Sequence, residues 1–189
     1  MDESFDSIVG GSKSSFAFMV LHEEDKQPQP PPKENITIPK DLKLPWRIYG
    51  DQKELCREDV TKAFALLKTK APSWYVYVMR FTESVSCNSS DTQSFTNLIT
   101  AWYTVPVLPY GQFLKDYSDI FPYAIAGIAV HESCHINQFY DRLRLYWWSR
   151  WDVEIECSLM EIEAWKQIGA PQWMVDAKQD AIDRRQPWW

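Results

Sequence analysis

Two of the chain's three histidines lie four residues apart, with a glutamate directly after the first: His131-Glu132-Ser133-Cys134-His135. On an α-helix, residues four apart sit about 40° from each other around the axis, so both imidazoles reach to one side. Two ring nitrogens so placed can hold one Zn2+. Glu132 lies about 100° round from His131, where a carboxylate can stand beside a metal-bound water without ligating the metal. The chemistry open to this arrangement is hydrolysis by an activated water, with Glu132 as general base.

A catalytic zinc site takes three protein ligands and leaves one position for water. His22, the remaining histidine, lies in a polar N-terminal region, so the candidates are the carboxylates Asp152, Glu154, Glu156, Glu161 and Glu163. Residues 151–168 read as a helix stopped by Gly169-Ala170-Pro171. On it Glu154 and Glu161 share one face, and Glu156 and Glu163 share another about 160–200° away. One pair can look at the metal helix while the other meets solvent or Lys166. Ala164, close behind Glu161, is small enough to let two helices approach. Cys157 lies on the side of Glu154 and Glu161 and is a further ligand candidate.

H-E-x-x-H on one helix and Glu161-Ile162-Glu163-Ala164 on the next resemble the gluzincin group of zinc metallopeptidases. With Gln138 three residues beyond the pentad, they also resemble small prokaryotic and phage metallopeptidase-like families. The resemblance covers residues 118–168 at the level of motifs. It implies Zn2+ as cofactor and Glu161 as third ligand, with Glu154 as the alternative. Several such peptidases carry Asp after the Ala to support a histidine. This chain has Trp165 there, so that support has to come from elsewhere. The metzincin pattern fits less well. Asp141 stands at the last ligand position of that pattern, but Gln138 replaces the helix-breaking glycine, which leaves Asp141 about 80–120° off the histidine face.

The elements that position these residues follow from patterning. The run 121–130 is nearly uncharged, which predicts a buried helix, begun by Ser118 or Asp119 with Pro122 in its first turn and continuing to about Leu145. Gln138 and Arg142 follow on the histidine stripe and can line a cleft. Arg142 and Tyr146 are candidate oxyanion donors, with Tyr103, Tyr110 and Tyr123 as others. Arg57–Lys70 reads as an amphipathic helix, Ser73–Thr82 as an aromatic and β-branched strand, Glu83–Ser94 as a polar loop and Leu98–Val107 as a second strand. Thr100–Val105 is the expected edge that would take a peptide by β-augmentation. Pro171–Gln186 reads as a final amphipathic helix.

Patterning and the resemblance together imply a fold that is α+β and zincin-like. A small, mostly antiparallel sheet packs on a backing helix and a buried metal-binding helix, followed by a helical C-terminal part. Residues 1–44, with Gly10-Gly11-Ser12 and the prolines at 28 and 30–32, read as a flexible arm. Residues 45–189 read as the metallopeptidase domain. The arm could lie in the cleft with His22 near the metal, or serve only as a tail.

The chain has 189 residues and a net charge of −6, which speaks against nucleic acid as a partner. No signal pattern or membrane span is read, so a cytoplasmic location is expected. Cys56, Cys87, Cys134 and Cys157 lack C-x-x-C spacing and read as buried thiols in a reducing compartment. The aromatic run 146–151 is read as a packed connector, with a subsite or membrane contact as its rival.

The expectation is a zinc metallopeptidase acting on peptide or protein substrates. Two other classes remain open. One is an inactive zincin-like binding or accessory protein that keeps a metal. The other is a metal-free helical domain in which the histidines only bond to Glu154 and Glu161. Oligomeric state and substrate are not legible in the chain.

Overall fold

The computed structural model describes residues 35–50, 53–88, 95–97, 102–106, 118–140 and 150–184. Among them are five α-helices: α1 (Lys53–Lys70), α2 (Pro72–Phe81), α3 (Phe121–Tyr140), α4 (Arg150–Ile168) and α5 (Gln172–Asp183). Four short strands join them: β1 (Arg47–Tyr49), β2 (Ser84–Asn88), β3 (Phe95–Asn97) and β4 (Trp102–Pro106). The body is mostly helical.

α3 is the axis of the fold. Its sequence is apolar all round through its first half, and a helix of that kind is stable only when other elements enclose it. Every residue from Pro122 to Ile136 is buried. α1, α2, α4, β3 and β4 all pack against it. The core that encloses it includes Phe64, Leu66 and Leu67 of α1, Val78 of α2 and Val85 of β2. Each such side chain stabilises the fold by about 1.5–3 kcal/mol through area removed from water. Ile36, Leu42 and Leu44 already pack against this core, ahead of the boundary expected near residue 45.

The sheet corrects the expected fold. Its order is β1-β2-β4-β3, and it is not mostly antiparallel. β1 pairs parallel with β2, and β2 pairs parallel with β4, Val85 opposite Tyr103. Only β3 with β4 is antiparallel. A zincin-like sheet is therefore not what the chain builds. β4 lies between β2 and β3, so Trp102–Thr104 of the stretch Thr100–Val105, expected to be a free edge, are paired on both sides, and Thr100 and Ala101 lie outside the described residues.

Two local expectations fail with it. Ser73–Thr82 is not a strand but most of α2. Pro72 sits at the first helical position, where its fixed φ suits a helix and its missing N–H costs nothing. Trp74, Tyr75, Val78 and Met79 then meet the core at helical spacing, which outweighs their β propensity. The expected loop Glu83–Ser94 contains β2, whose Val85 and Cys87 are fully buried. At the other end α4 stops as expected. Gly169 adopts φ 76°, and Ala170 N–H donates back to Trp165 O at 2.9 Å.

Asp59 on α1 gives a test of the packing that does not involve the site. Burial pushes its carboxyl up to about 6, with Lys62 opposing and Glu58 adding to the shift. Below the ordinary carboxylate range the group is protonated in both folded and unfolded chains, and it costs nothing. As pH rises from about 4 to 6 the unfolded chain ionises first, and stability falls. Partial exposure reduces the penalty, and about 1–2 kcal/mol is expected above pH 6. Asp59→Asn should therefore melt a few degrees higher than the parent at pH 7.5 and equally at pH 3.5, read by circular dichroism. Equal melting at both pH values would show that the carboxyl is not penalised.

Candidate metal centre

α3 and α4 run antiparallel, and their facing side chains meet along one seam. On α3 the stripe is Gly127, His131, Cys134, His135 and Gln138. On α4 it is Glu154, Cys157, Glu161 and Trp165. At one end, Trp165 lies against Gly127 and its indole N–H donates to Tyr123 O at 2.8 Å. Cys134 and Cys157 are joined by a disulfide. At the other end Gln138 Nε2 donates to Glu156 Oε2 at 2.9 Å. The polar groups that could do chemistry occupy the middle.

There His131 Nε2 and His135 Nε2 lie 3.0 Å apart. Glu154 Oε2 is 3.4 Å from the first and 3.5 Å from the second. The group is buried, and His135 is its most exposed member at 9 %. Burial alone would lower the His131 pKa, but Glu154 and Glu161 beside the ring outweigh it and raise the value to about 9. Burial would likewise raise the Glu154 carboxyl, and its bonds to both histidines hold it far below the carboxylate range instead. Two imidazoles and a carboxylate that converge out of water offer three donor atoms to a cation. The buried His131, His135 and Glu154 can hold a metal ion.

The donor separations also suit a small cation held tetrahedrally. In a tetrahedron with metal–ligand bonds of 2.0–2.1 Å the donor atoms stand about 3.3 Å apart. The three separations here, 3.0, 3.4 and 3.5 Å, lie close to that edge length.

Glu161, the ligand implied by resemblance, is placed elsewhere. Its Oε2 lies 3.1 Å from His131 Nδ1, on the far side of the ring from Glu154. The approach is ionic, without hydrogen-bond alignment. Lys178 of α5 reaches the same oxygen at 2.8 Å. Burial would raise the Glu161 carboxyl, and Lys178 and His131 lower it. His135 has a matching partner, since its Nδ1 is 3.3 Å from Gln138 Oε1. Each imidazole thus turns Nε2 to the centre, with Nδ1 of His135 on Gln138 and Nδ1 of His131 in ionic contact with Glu161. The support that Trp165 could not give comes from Glu161 and Gln138.

Comparison with known protein families, curated sequences and solved structures finds no match.

Other expected site residues fare unevenly. Glu132 is on α3 as expected and fully buried. Arg142 and Tyr146 lie outside the described residues, as do Asp141, Tyr110, His22 and the arm to residue 34. Glu163 is exposed as expected, whereas Glu156 is bonded to Gln138. The cysteines are corrected outright. They are not free thiols but two disulfides, Cys56–Cys87 and Cys134–Cys157, and Cys157 is therefore no thiolate ligand. Lys178 is not among the expected site residues, although a lysine amid the buried Met174, Val175, Ala181 and Ile182 of α5 is a readable signal. α2, in place of the expected strand, braces α3 together with the Thr82 that follows it: Tyr77 Oη donates to Ser133 O at 3.5 Å and Thr82 Oγ1 is 3.2 Å from Ser133 Oγ.

Proposed function

We propose that this chain is a zinc-dependent hydrolase of peptide bonds, with His131, His135 and Glu154 as metal ligands and Glu132 as general base. The observation that carries the reading is the convergence of the three donor atoms at near-tetrahedral separations, directly beside the helix position of Glu132. Bound Zn2+ would supply Lewis acidity and lower the pKa of a water towards about 7. The remaining work falls to the chain. Glu154 and the two imidazoles set the coordination. Glu161 and Gln138 keep each Nε2 turned inward. Glu132 accepts the proton of the attacking water and returns it to the leaving amine.

The substrate class is peptide or protein, as the motif resemblance suggests and the net charge of −6 permits. Nucleic acid is disfavoured by the same charge. No helix among the described residues is long and apolar enough to cross a membrane. The two disulfides favour an oxidising compartment over the reducing one that free thiols would have implied.

Elemental analysis of the purified protein is expected to show about one zinc per chain. Glu132→Gln should keep that zinc and lose turnover of an unfolded protein substrate by a factor of about a hundred or more. Full activity in that variant would remove Glu132 from the mechanism. A second reading is favoured by the depth of the group, with Glu132 and Glu154 both below the surface. In it the metal only ties α3 to α4. Zinc that raises the melting temperature of a protein without any peptidase activity would establish that reading.

A further inference from the structure

We propose that Cys134 and Cys157 are positioning residues for the metal: their disulfide holds α3 and α4 in the register that brings His131, His135 and Glu154 together. The inference rests on the metal-binding reading above and deepens it by coupling that site to the redox state of one cystine.

The placement is specific. Cys134 directly precedes His135, and Cys157 follows Glu154 by three residues, one helical turn. The bridge, with its Cα atoms 5.4 Å apart, therefore spans the seam between the two helices that supply every ligand. Among the contacts described across that seam it is the one covalent tie. The others at its centre are contacts among His131, His135, Glu154 and Glu161, all of them groups that lose hydration when enclosed. Without an ion they hold the helices together weakly, because burying paired charges gains little over leaving them in water.

The bridge also touches a ligand directly. Cys157 Sγ lies 3.5 Å from His135 Nδ1 and 3.4 Å from Gln138 Oε1. A cystine sulfur carries no hydrogen, so it can only accept weakly from the ring N–H. It walls the Nδ1 edge of the imidazole beside Gln138, and this leaves Nε2 to face Glu154. The other disulfide, Cys56–Cys87, joins α1 to β2, neither of which carries a ligand. It is a built-in control.

Coupling of this kind is reciprocal. If closing the bridge tightens the metal site, the metal must stabilise the bridge by the same factor. A dithiol such as dithiothreitol opens the cystine by exchange. Two electrons and two protons pass to it, two thiols result, and the dithiol leaves as its cyclic disulfide.

The test compares zinc affinity of three full-length proteins by competition with a chromogenic chelator. Cys134→Ser/Cys157→Ser is expected to bind about ten- to a hundredfold more weakly than the parent, the usual cost of loosening what orients a ligand. Cys56→Ser/Cys87→Ser is expected to stay within about threefold of the parent. Parent and Cys134→Ser/Cys157→Ser binding alike would overturn the coupling and leave the metal reading intact. A parent that binds no zinc would overturn both.

A second measurement guards against a variant that does not fold. The parent is titrated with dithiothreitol, with saturating zinc and with chelator, and each pair is followed by alkylation and mass spectrometry. Zinc should lower the reduction potential of Cys134–Cys157 by about 30 mV for each tenfold in affinity and leave Cys56–Cys87 unmoved. An unmoved potential for Cys134–Cys157 would sink the inference. A raised one would too, since the free thiolates would then be taking the ion.

Discussion

Glu154→Ala is expected to lower zinc affinity by two to three orders of magnitude, while Glu161→Gln lowers it by about ten- to a hundredfold. The first estimate follows from an apparent 10–16 kcal/mol for a structural zinc site shared among its ligands, about 3–4 kcal/mol each. The second follows from the position of Glu161 on Nδ1 of His131, where it orients a ligand without being one. The two side chains are chemically identical and lie on the same helix face, so the ranking tests the register of the seam and little else. Glu161→Gln alone leaves the Lys178 ammonium, 2.8 Å away and 6 % exposed, facing a neutral amide. Breaking such a pair costs about 3–5 kcal/mol of stability, so the affinity comparison should also be made on Glu161→Gln/Lys178→Met, which removes both members of the pair. Competition with a metal-sensitive dye, on protein shown to be folded, gives both values. If the loss is larger at Glu161, that residue is the third ligand, as the gluzincin resemblance implies, and Glu154 is its support.

The histidine pair was legible because it depends only on helical periodicity within five residues. So was the carboxylate face, because Glu154 and Glu161 are both buried against α3. Which carboxylate meets which ring nitrogen was not legible. Seven residues separate them, two full helical turns, and the choice depends on how far α4 slides along α3. That sliding is set by contacts distant in sequence: Cys134 with Cys157, and Gly127 with Trp165. The misread α2 has the same origin. Trp74, Tyr75, Val78 and Met79 suit a strand by propensity and a helix by spacing, and the surrounding core decided between them. β2 was hidden because Ser84, Ser86 and Cys87 are weak signals for a strand, although the position is central and enclosed. The cysteines were misjudged for a related reason. Spacing along the chain says nothing about pairs that close only once α1 meets β2 and α3 meets α4.

Gly127→Ala is expected to destabilise the protein by about 1–3 kcal/mol and to lower its melting temperature by roughly 3–10 °C. A methyl group there would stand 2.6 Å from Trp165 Cε2 and 2.9 Å from Cδ1, and closer still to the indole nitrogen. Trp165 has no room to retreat, being fully buried with its N–H committed to Tyr123 O. Overpacking costs about 1–3 kcal/mol and a broken buried hydrogen bond about another 1 kcal/mol. The better helix propensity of alanine returns about 1 kcal/mol, which does not reverse the sign. Gly127 lies one turn before His131 on the same face, so helices forced apart here should also open the metal group, and zinc affinity should fall about tenfold with stability. Trp165→Leu added to Gly127→Ala should recover part of both losses, a coupling that independent sites would not show. A Gly127→Ala protein that melts and binds zinc like its parent would mean that α3 and α4 are not in this close register. Both the assignment of Glu154 and the role given to the disulfide would then lose their basis.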